Sequence, residues 1–377
     1  KLRFQRAVWI VLLVIHFFFP ASESGLTQDP VDIEQLFAEM TVQERIGQLF
    51  LVSFEGDTLT PDSDILDLIA TYKVGGVVLE PEFDNLSGYG NPVYTPQLLL
   101  QLTNDLQSLA LLGEIPEEAI AEILPPLDGT AEIQTPVPSP SPSPVGLSLP
   151  LFIAMNHEGQ NQDGQQILGG FTAVPTNMAM GATWQPNNAR EIGRLVGQEL
   201  GAVGVNMLFG PTLDVLESPL PQNPADLGTS TFGGDPYWVG LLGQAYTDGI
   251  HSGSQDRVAV IAKSFPGKGS SDRPTDEEVP TVRKSLEQLK QIELAPFIAV
   301  TGAAQNDASV VDGLLSTHIR YQGFQGNIRA TTAPVSFDPQ ALNSLMAMPE
   351  FEGWRQDGGL LVSDSLGVRS VEPVSYT

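Results

Sequence analysis

The sequence predicts an α/β fold, a (β/α)8 TIM-type barrel truncated after its seventh strand. Three observations predict it. Short continuous apolar runs recur along the chain, as strands buried on both faces of a parallel sheet require. Amphipathic helical stretches such as "NNAREIGRLVGQELGAVG" and "SLEQLKQIELAPFIAVTG" separate most of them. Seven such runs over roughly 320 residues suit a barrel better than an open doubly wound sheet. No G-x-G-x-x-G follows a strand, which argues against a dinucleotide-binding sheet.

The elements follow in order. Residues 1–24, "KLRFQRAVWIVLLVIHFFFPASES", set three positive charges before an apolar run and then Pro20, Ala21 and Ser22. This is the layout of a secretory signal peptide, with an uncleaved anchor as the alternative. The barrel domain is expected over residues 30–377. It opens with a helix that gathers Ile33, Leu36, Phe37 and Met40 on one face. Thr41 and Glu44 read as a capping box for the next helix. The strands are then Leu49 to Phe54, "VGGVVL" (74–79), "LFIAM" (151–155), "GVNMLFG" (204–210), "VAVIAKSF" (258–265), "DGLLSTH" (312–318) and "GLLVSD" (359–364). Residues 113–149 contain "TPVPSPSPSP", which forms neither helix nor sheet. Only two strands precede this segment, too few for a separate domain, so it reads as an insertion between the second and third barrel units. The chain stops thirteen residues after Asp364, where an eighth strand would normally follow. That is the pattern expected of a fragment of a longer protein.

Composition narrows the function. With 18 basic and 45 acidic residues the net charge is −27, which argues against nucleic acid or an anionic membrane surface as a partner. Stable membrane insertion is expected only if the N-terminal segment stays uncleaved. The chain has no cysteine, which excludes disulfides, thiolate metal sites and cysteine nucleophiles. The four histidines, His16, His157, His251 and His318, make a multi-histidine metal centre improbable. No metal or organic cofactor is implied.

In a barrel of this kind the active site forms at the carboxyl ends of the strands. The third run ends in Asn156, His157 and Glu158, the fourth near Asp214, and the fifth carries Lys263 and Ser264. The sixth ends in His318 and the seventh in Asp364. Each position alone has a plain structural explanation, such as a helix cap or a solvated charge. Polar ends on five runs in succession suit a carbohydrate pocket, although other barrel enzymes would show a similar pattern.

These stretches resemble the N-terminal barrel domain of glycoside hydrolase family three, most of all its bacterial β-N-acetylhexosaminidase branch. "NHEGQNQ" stands where that family has D-Q-E-G-G-R-V, and "ELGAVGVNMLFGPTLDV" matches A-x-G-I-N-x-x-x-A-P-V-L-D-V. "AKSFPGKGSSDRPTDEEVP" stands for K-H-F-P-G-H-G-D-x-x-x-D-S-H-x-x-L-P. "STHIRY" matches T-A-H-V-x-Y, and "GGLLVSDSLGV" matches G-V-x-x-S-D-D-L-x-M. The matches keep their order from about residue 40 to 370. The resemblance implies that Asp364 is the catalytic nucleophile. It also implies that Asn156, Glu158, Asn161, Asp214, Lys263, Ser264 and His318 line the sugar site.

The departures from that pattern bear on chemistry. The branch carries an acid/base histidine after its fifth strand, oriented by an aspartate two residues earlier. Here Asp276 and Pro274 fall at those positions, so Asp276, Glu277 or Glu278 would have to donate the proton. Arg273 and Lys268 would then have to point away from Asp364. The usual Asp, Arg and His of the sugar site become Asn156, Asn161 and Ser264, and in "NPADLGTSTFGGDP", which stands for N-P-x-I-G-x-R-S-F-G-x-D-P, the Arg becomes Ser230. The expectation is a secreted or cell-envelope retaining β-glycosidase acting on terminal β-linked sugars of the N-acetylhexosaminide type. The alternatives are a β-glucosidase or β-xylosidase on the same scaffold, and a sugar-binding protein without turnover.

Overall fold

A computed structural model describes residues 33–60, 62–86, 94–114, 149–159, 169–219, 226–275, 277–368 and 370–371. Residues 1–24, Asn161, Asp276 and most of the Pro-rich segment lie outside the described residues. Among the described residues no helix is long and apolar enough to cross a membrane.

The chain divides into two units at Arg45 and Ile46. In the first, the Ile33–Glu39 helix has no buried residue, and Ile33 and Phe37 are exposed. Of the face expected from helical spacing, Met40 alone is buried and Leu36 is half-buried. The Arg45 guanidinium lies 4.1 Å from the centre of the Phe37 ring. The expected capping box is formed. Thr41 N–H donates to Glu44 Oε2 at 2.7 Å, and Glu44 N–H to Thr41 Oγ1 at 3.2 Å.

The second unit is built on a parallel sheet of seven strands. They are β1 (Leu51–Val52), β2 (Gly76–Leu79), β3 (Phe152–Met155), β4 (Met207–Thr212), β5 (Ala259–Phe265), β7 (Gly313–Ser316) and β9 (Leu360–Ser363). Their lateral order follows the chain, and every neighbouring pair is parallel. All seven apolar runs expected as strands are strands, in the curled sheet of a barrel-type α/β fold. One pair was not legible in the sequence: β6 (Thr281–Val282) runs parallel to β8 (Arg320–Tyr321) outside the main sheet.

The inner runs are continuously apolar because both faces of the sheet are covered there, while the edge strands β1 and β9 have no buried residue. Successive side chains point to opposite faces. Ile153, Leu208, Val260 and Leu314 belong to the large core that also takes in Leu106, Val196, Ile250 and Phe297 from the helices. Their neighbours Ala154, Met207, Phe209, Ile261 and Leu315 form a separate small core on the other face, joined by Leu51, Val78 and Val362. Outside the sheet, the helices Pro186–Ala202 and Pro236–Ser254 pack closely. A Cβ on Gly197 would stand 2.3 Å from the Ile250 carbonyl oxygen, so only glycine permits that approach.

Parallel strands bring all carboxyl ends to one edge of the sheet. Asn156, Asp214, Ser264, His318 and Asp364, scattered over more than half the sequence, therefore share one end of the fold. β6 and β8 sit at that end too. They brace the loop after β5 against the segment after β7, with Arg320 N–H donating to the Pro280 carbonyl at 3.0 Å.

Candidate active site

The site begins at the end of β3. Glu158 is 2% exposed, and both its oxygens are engaged. Oε1 accepts from Thr212 N–H at 2.6 Å and from Asn177 Nδ2 at 3.0 Å. Oε2 accepts from Thr212 Oγ1 at 3.0 Å and pairs with Lys263 Nζ at 2.6 Å. Lys263 Nζ also donates to Asn156 Oδ1 at 2.7 Å. A buried carboxylate needs this many donors to offset its lost hydration. Glu158 is thus a hub that aims the Lys263 ammonium while its own oxygens are spent on protein. Beside it, burial holds the His157 imidazole down at about 4, against the opposing charge of Glu158, so the ring is neutral near pH 7.

Asp214 is fully buried after β4. Its Oδ1 accepts from Lys268 N–H at 2.6 Å, and its Oδ2 from Ser264 N–H at 3.2 Å. Burial pushes its carboxyl up from the ordinary carboxylate range. The Lys268 charge and the two N–H donors oppose that shift. Asp214 therefore ties the turn after β5 to the end of β4, and Tyr321 Oη adds a bond to the Gly267 carbonyl at 2.8 Å.

The turn continues into the loop 268–280. Asp272 Oδ1 accepts from Thr281 N–H at 2.8 Å, and Arg273 pairs with Asp272 at 3.3 Å and with Glu278. Arg273 is thereby held by two carboxylates of its own loop. Glu277, one of the candidate proton donors, is exposed. Ser370 N–H donates to the Thr275 carbonyl at 3.2 Å, which joins this loop to the segment after Asp364.

Asp364 follows β9 directly and is partly buried. Its N–H donates to the Ser316 carbonyl at 2.9 Å, and its Oδ1 accepts from Ser365 N–H at 2.9 Å. His318 is fully buried beneath it. His318 Nε2 lies 3.1 Å from the carbonyl oxygens of both Asp364 and Ser365, and Nδ1 lies 2.7 Å from Ser336 Oγ. Both ring nitrogens are therefore engaged by the protein.

The structure brings Asn156, Glu158 and Lys263 together, links Asp214 to Ser264, and sets His318 against Asp364. Sequence reasoning missed Thr212, Asn177 and Ser336. Thr212 lies two positions before Asp214 on one extended run, and that spacing could have pointed to it. Asn177 and Ser336 stand on segments with no such pattern. A cavity of about 960 Å³ lies elsewhere, at the amino ends of the strands, lined in part by Phe152, Asp312, Trp354 and Leu360. It shares none of these site residues.

The fold and the polar cluster at the carboxyl ends define a barrel-type α/β protein whose site is built from strand ends and the loops that follow them. The chain belongs to the family described as the glycosyl hydrolase family 3 N terminal domain, which matches residues 141–374. Among relatives, a Beta-hexosaminidase of Pseudomonas aeruginosa is 28% identical over 228 residues, 59% of this chain and 60% of that protein. A Beta-hexosaminidase of Thiobacillus denitrificans is 34% identical over 155 residues, 39% of this chain and 40% of that protein. The matched part thus spans at most three fifths of these relatives' length. Among solved structures, a glycoside hydrolase family 3 beta-N-acetylglucosaminidase from a Paenibacillus species superposes with a TM-score of 0.66 at 26% identity. That match covers 88% of this chain and 50% of the other. A Beta-N-acetylhexosaminidase from Beutenbergia cavernae (TM-score 0.60, 23% identity, covering 89% of this chain and 81% of the other) shares the fold.

Proposed function

We propose that the protein is a retaining β-glycosidase acting on terminal β-linked sugars of the N-acetylhexosaminide type. The observation that carries this reading is Asp364, fixed by its backbone at the carboxyl end of β9, the same end that gathers Lys263, Asn156 and Asp214. The names of the relatives support the substrate class.

Asp364 would attack the anomeric carbon, forming a carbon–oxygen bond as the bond to the leaving oxygen breaks. A carboxylic acid of the loop after β5, Asp276 or Glu277, would give its proton to that oxygen. Water would then attack the same carbon, returning a proton to the loop carboxylate and releasing the Asp364 carboxylate. Lys263, held by Glu158 and Asn156, would bind a sugar hydroxyl. Asn156 and Ser264 offer it neutral hydrogen bonds where charged groups are usual in the family, and neutral bonds hold less strongly.

The second reading is a sugar-binding protein without turnover. The exposure of Glu277 favours it, because an exposed side chain is not held in place to donate a proton to a bound sugar. The deciding experiment is a screen of the purified protein against aryl β-glycosides with and without the N-acetyl group, with Asp364→Asn alongside. Turnover of the N-acetylated substrate, abolished in the variant, supports the proposal. Sugar binding without turnover sinks it in favour of the second reading. Preferred turnover of the glucoside or xyloside moves the substrate class.

An extracytoplasmic location is part of the proposal. It is supported by the charge and hydropathy layout of residues 1–24 and is tested by sequencing the N-terminus of the mature protein.

A further inference from the structure

We infer that His318 is a positioning residue that sets the orientation of the Asp364 carboxylate through the peptide bond between Asp364 and Ser365. The inference rests on the reading of Asp364 as nucleophile.

The argument starts from hydrogen-bond roles. Carbonyl oxygens only accept, so the His318 nitrogen 3.1 Å from the carbonyls of Asp364 and Ser365 carries the hydrogen. That assigns an Nε2–H shared between two acceptors. In the neutral ring, Nδ1 then accepts from the Ser336 hydroxyl at 2.7 Å. The ring plane is fixed as well. It stacks on Phe337 with centroids 5.2 Å apart and 17° between planes. Ser336 and Phe337 belong to one short helix, Val335–Phe337, whose first N–H donates to the Ile319 carbonyl at 2.8 Å. The imidazole therefore has no freedom to turn.

The anchored carbonyl of Asp364 and the N–H of Ser365 are two ends of one planar peptide unit. In a trans peptide they point in opposite directions, so holding the oxygen aims the hydrogen. Ser365 N–H donates to Asp364 Oδ1, with the nitrogen 2.9 Å from that oxygen. The contacts run in a closed order, from His318 to the Asp364 carbonyl, through the peptide plane to Ser365 N–H, and back to the Asp364 side chain. The carboxylate is thereby held in one orientation, with Oδ1 taking the N–H bond and Oδ2 presented for attack. Without His318 the peptide plane is free to rock, and a small misalignment of the attacking oxygen costs rate rather than affinity.

The test uses two variants of the full chain. His318→Phe keeps a ring over Phe337 and removes both nitrogens, whereas His318→Gln keeps an N–H donor. With an aryl N-acetyl-β-glucosaminide, His318→Phe is expected to lower kcat about thirtyfold with KM within about twofold, and His318→Gln to recover most of the loss. A rise in KM at constant kcat would overturn the inference and make His318 a substrate ligand. Equal losses in both variants, or an unchanged kcat in His318→Phe, would overturn it too. Should His318→Phe fail to fold, Ser336→Ala carries the test, since it frees Nδ1 and leaves the ring in place. A several-fold loss confined to kcat is then expected, and an unchanged kcat overturns the inference. Asp364→Asn separates the two claims. If that variant keeps turnover, the reading of the nucleophile fails. If it is inactive while His318→Phe matches the wild type, only the positioning role fails.

Discussion

Lys263 Nζ lies 2.6 Å from Glu158 Oε2, in a pair whose side chains are 12% and 2% exposed. A lysine this deep needs partners for its ammonium, and Glu158 and Asn156 supply them. The carboxylate in turn is tolerated because Thr212 and Asn177 saturate it. Breaking such a pair from one side leaves an uncompensated charge inside the protein. Glu158→Ala is therefore expected to cost about 3–5 kcal/mol of stability. Glu158→Gln keeps the shape and most hydrogen bonds and should cost about 1–3 kcal/mol. Denaturant titration of both variants checks this, and a loss under about 1 kcal/mol for Glu158→Ala would show that the pair contributes nothing net.

Asp364→Asn keeps the size and the backbone bonds of the proposed nucleophile but removes its charge. Turnover should fall at least about a thousandfold, which corresponds to about 4 kcal/mol in the barrier. The melting temperature should move little, because the contacts to Ser316 and His318 are made by the backbone. A variant that keeps a tenth of the activity would remove Asp364 from the chemistry.

Glu277→Ala and Asp276→Ala test the proposal that a carboxylic acid of this loop donates the proton. A group that protonates the leaving oxygen matters most when that oxygen leaves poorly. The responsible variant should lose far more rate on alkyl glycosides than on activated aryl glycosides. Azide should restore part of the aryl turnover by attacking the glycosyl-enzyme directly. If neither variant shows the dependence on leaving group, the proton comes from elsewhere.

His251, in the last turn of the Pro236–Ser254 helix, predicts a pH effect on stability. Its Nδ1 faces the Ala308 carbonyl at 2.9 Å and its Nε2 faces Asp312 Oδ2 at 3.0 Å, so two acceptors ask for two hydrogens. Burial lowers its pKa. The bond to Asp312, its charge, the Ala308 carbonyl and Asp256 together outweigh burial and raise it above 6.5. A raised folded value gives stability that is present below pH 6.5 and lost as pH rises through that folded value. The melting temperature of the wild type relative to His251→Gln should shrink between pH 6 and 9 on that account. A constant difference across that range would show that the ring stays neutral.

Asp338 caps the Pro339–Met346 helix, accepting from Gln340 N–H and Ala341 N–H at 3.1 Å each. The Gln325 amide first, and then these N–H groups, hold its carboxyl below the ordinary 3.8. This stabilisation is present above pH 3.8 and is lost as pH falls through the lower folded value. Asp338→Ala should cost about 1 kcal/mol near neutrality, and the cost should vanish in strong acid. Equal unfolding midpoints at pH 7 would count against the cap.

The sequence by itself determined the strands and where their polar ends fall. The buried inner strands of a parallel sheet must be written as apolar runs, and the residue that follows such a run stands at the carboxyl end by geometry alone. Thr41 and Glu44 were legible for a similar reason, because a capping box is local. Only the tertiary structure decided which of these residues meet. Thr212 reaches Glu158 across 54 positions, Lys263 reaches Asn156 across 107, and His318 reaches the Asp364 backbone across 46. Spacing along a chain fixes faces and ends, but lateral contacts depend on strand order, register and curl. For the same reason His318, expected among the sugar ligands, could not be seen from the sequence to lie beneath Asp364. The β6–β8 pair escaped notice because two residues are too few to display a period. The rotation that brings Ser365 N–H onto Asp364 Oδ1 is set by packing under the peptide plane, which no local pattern encodes.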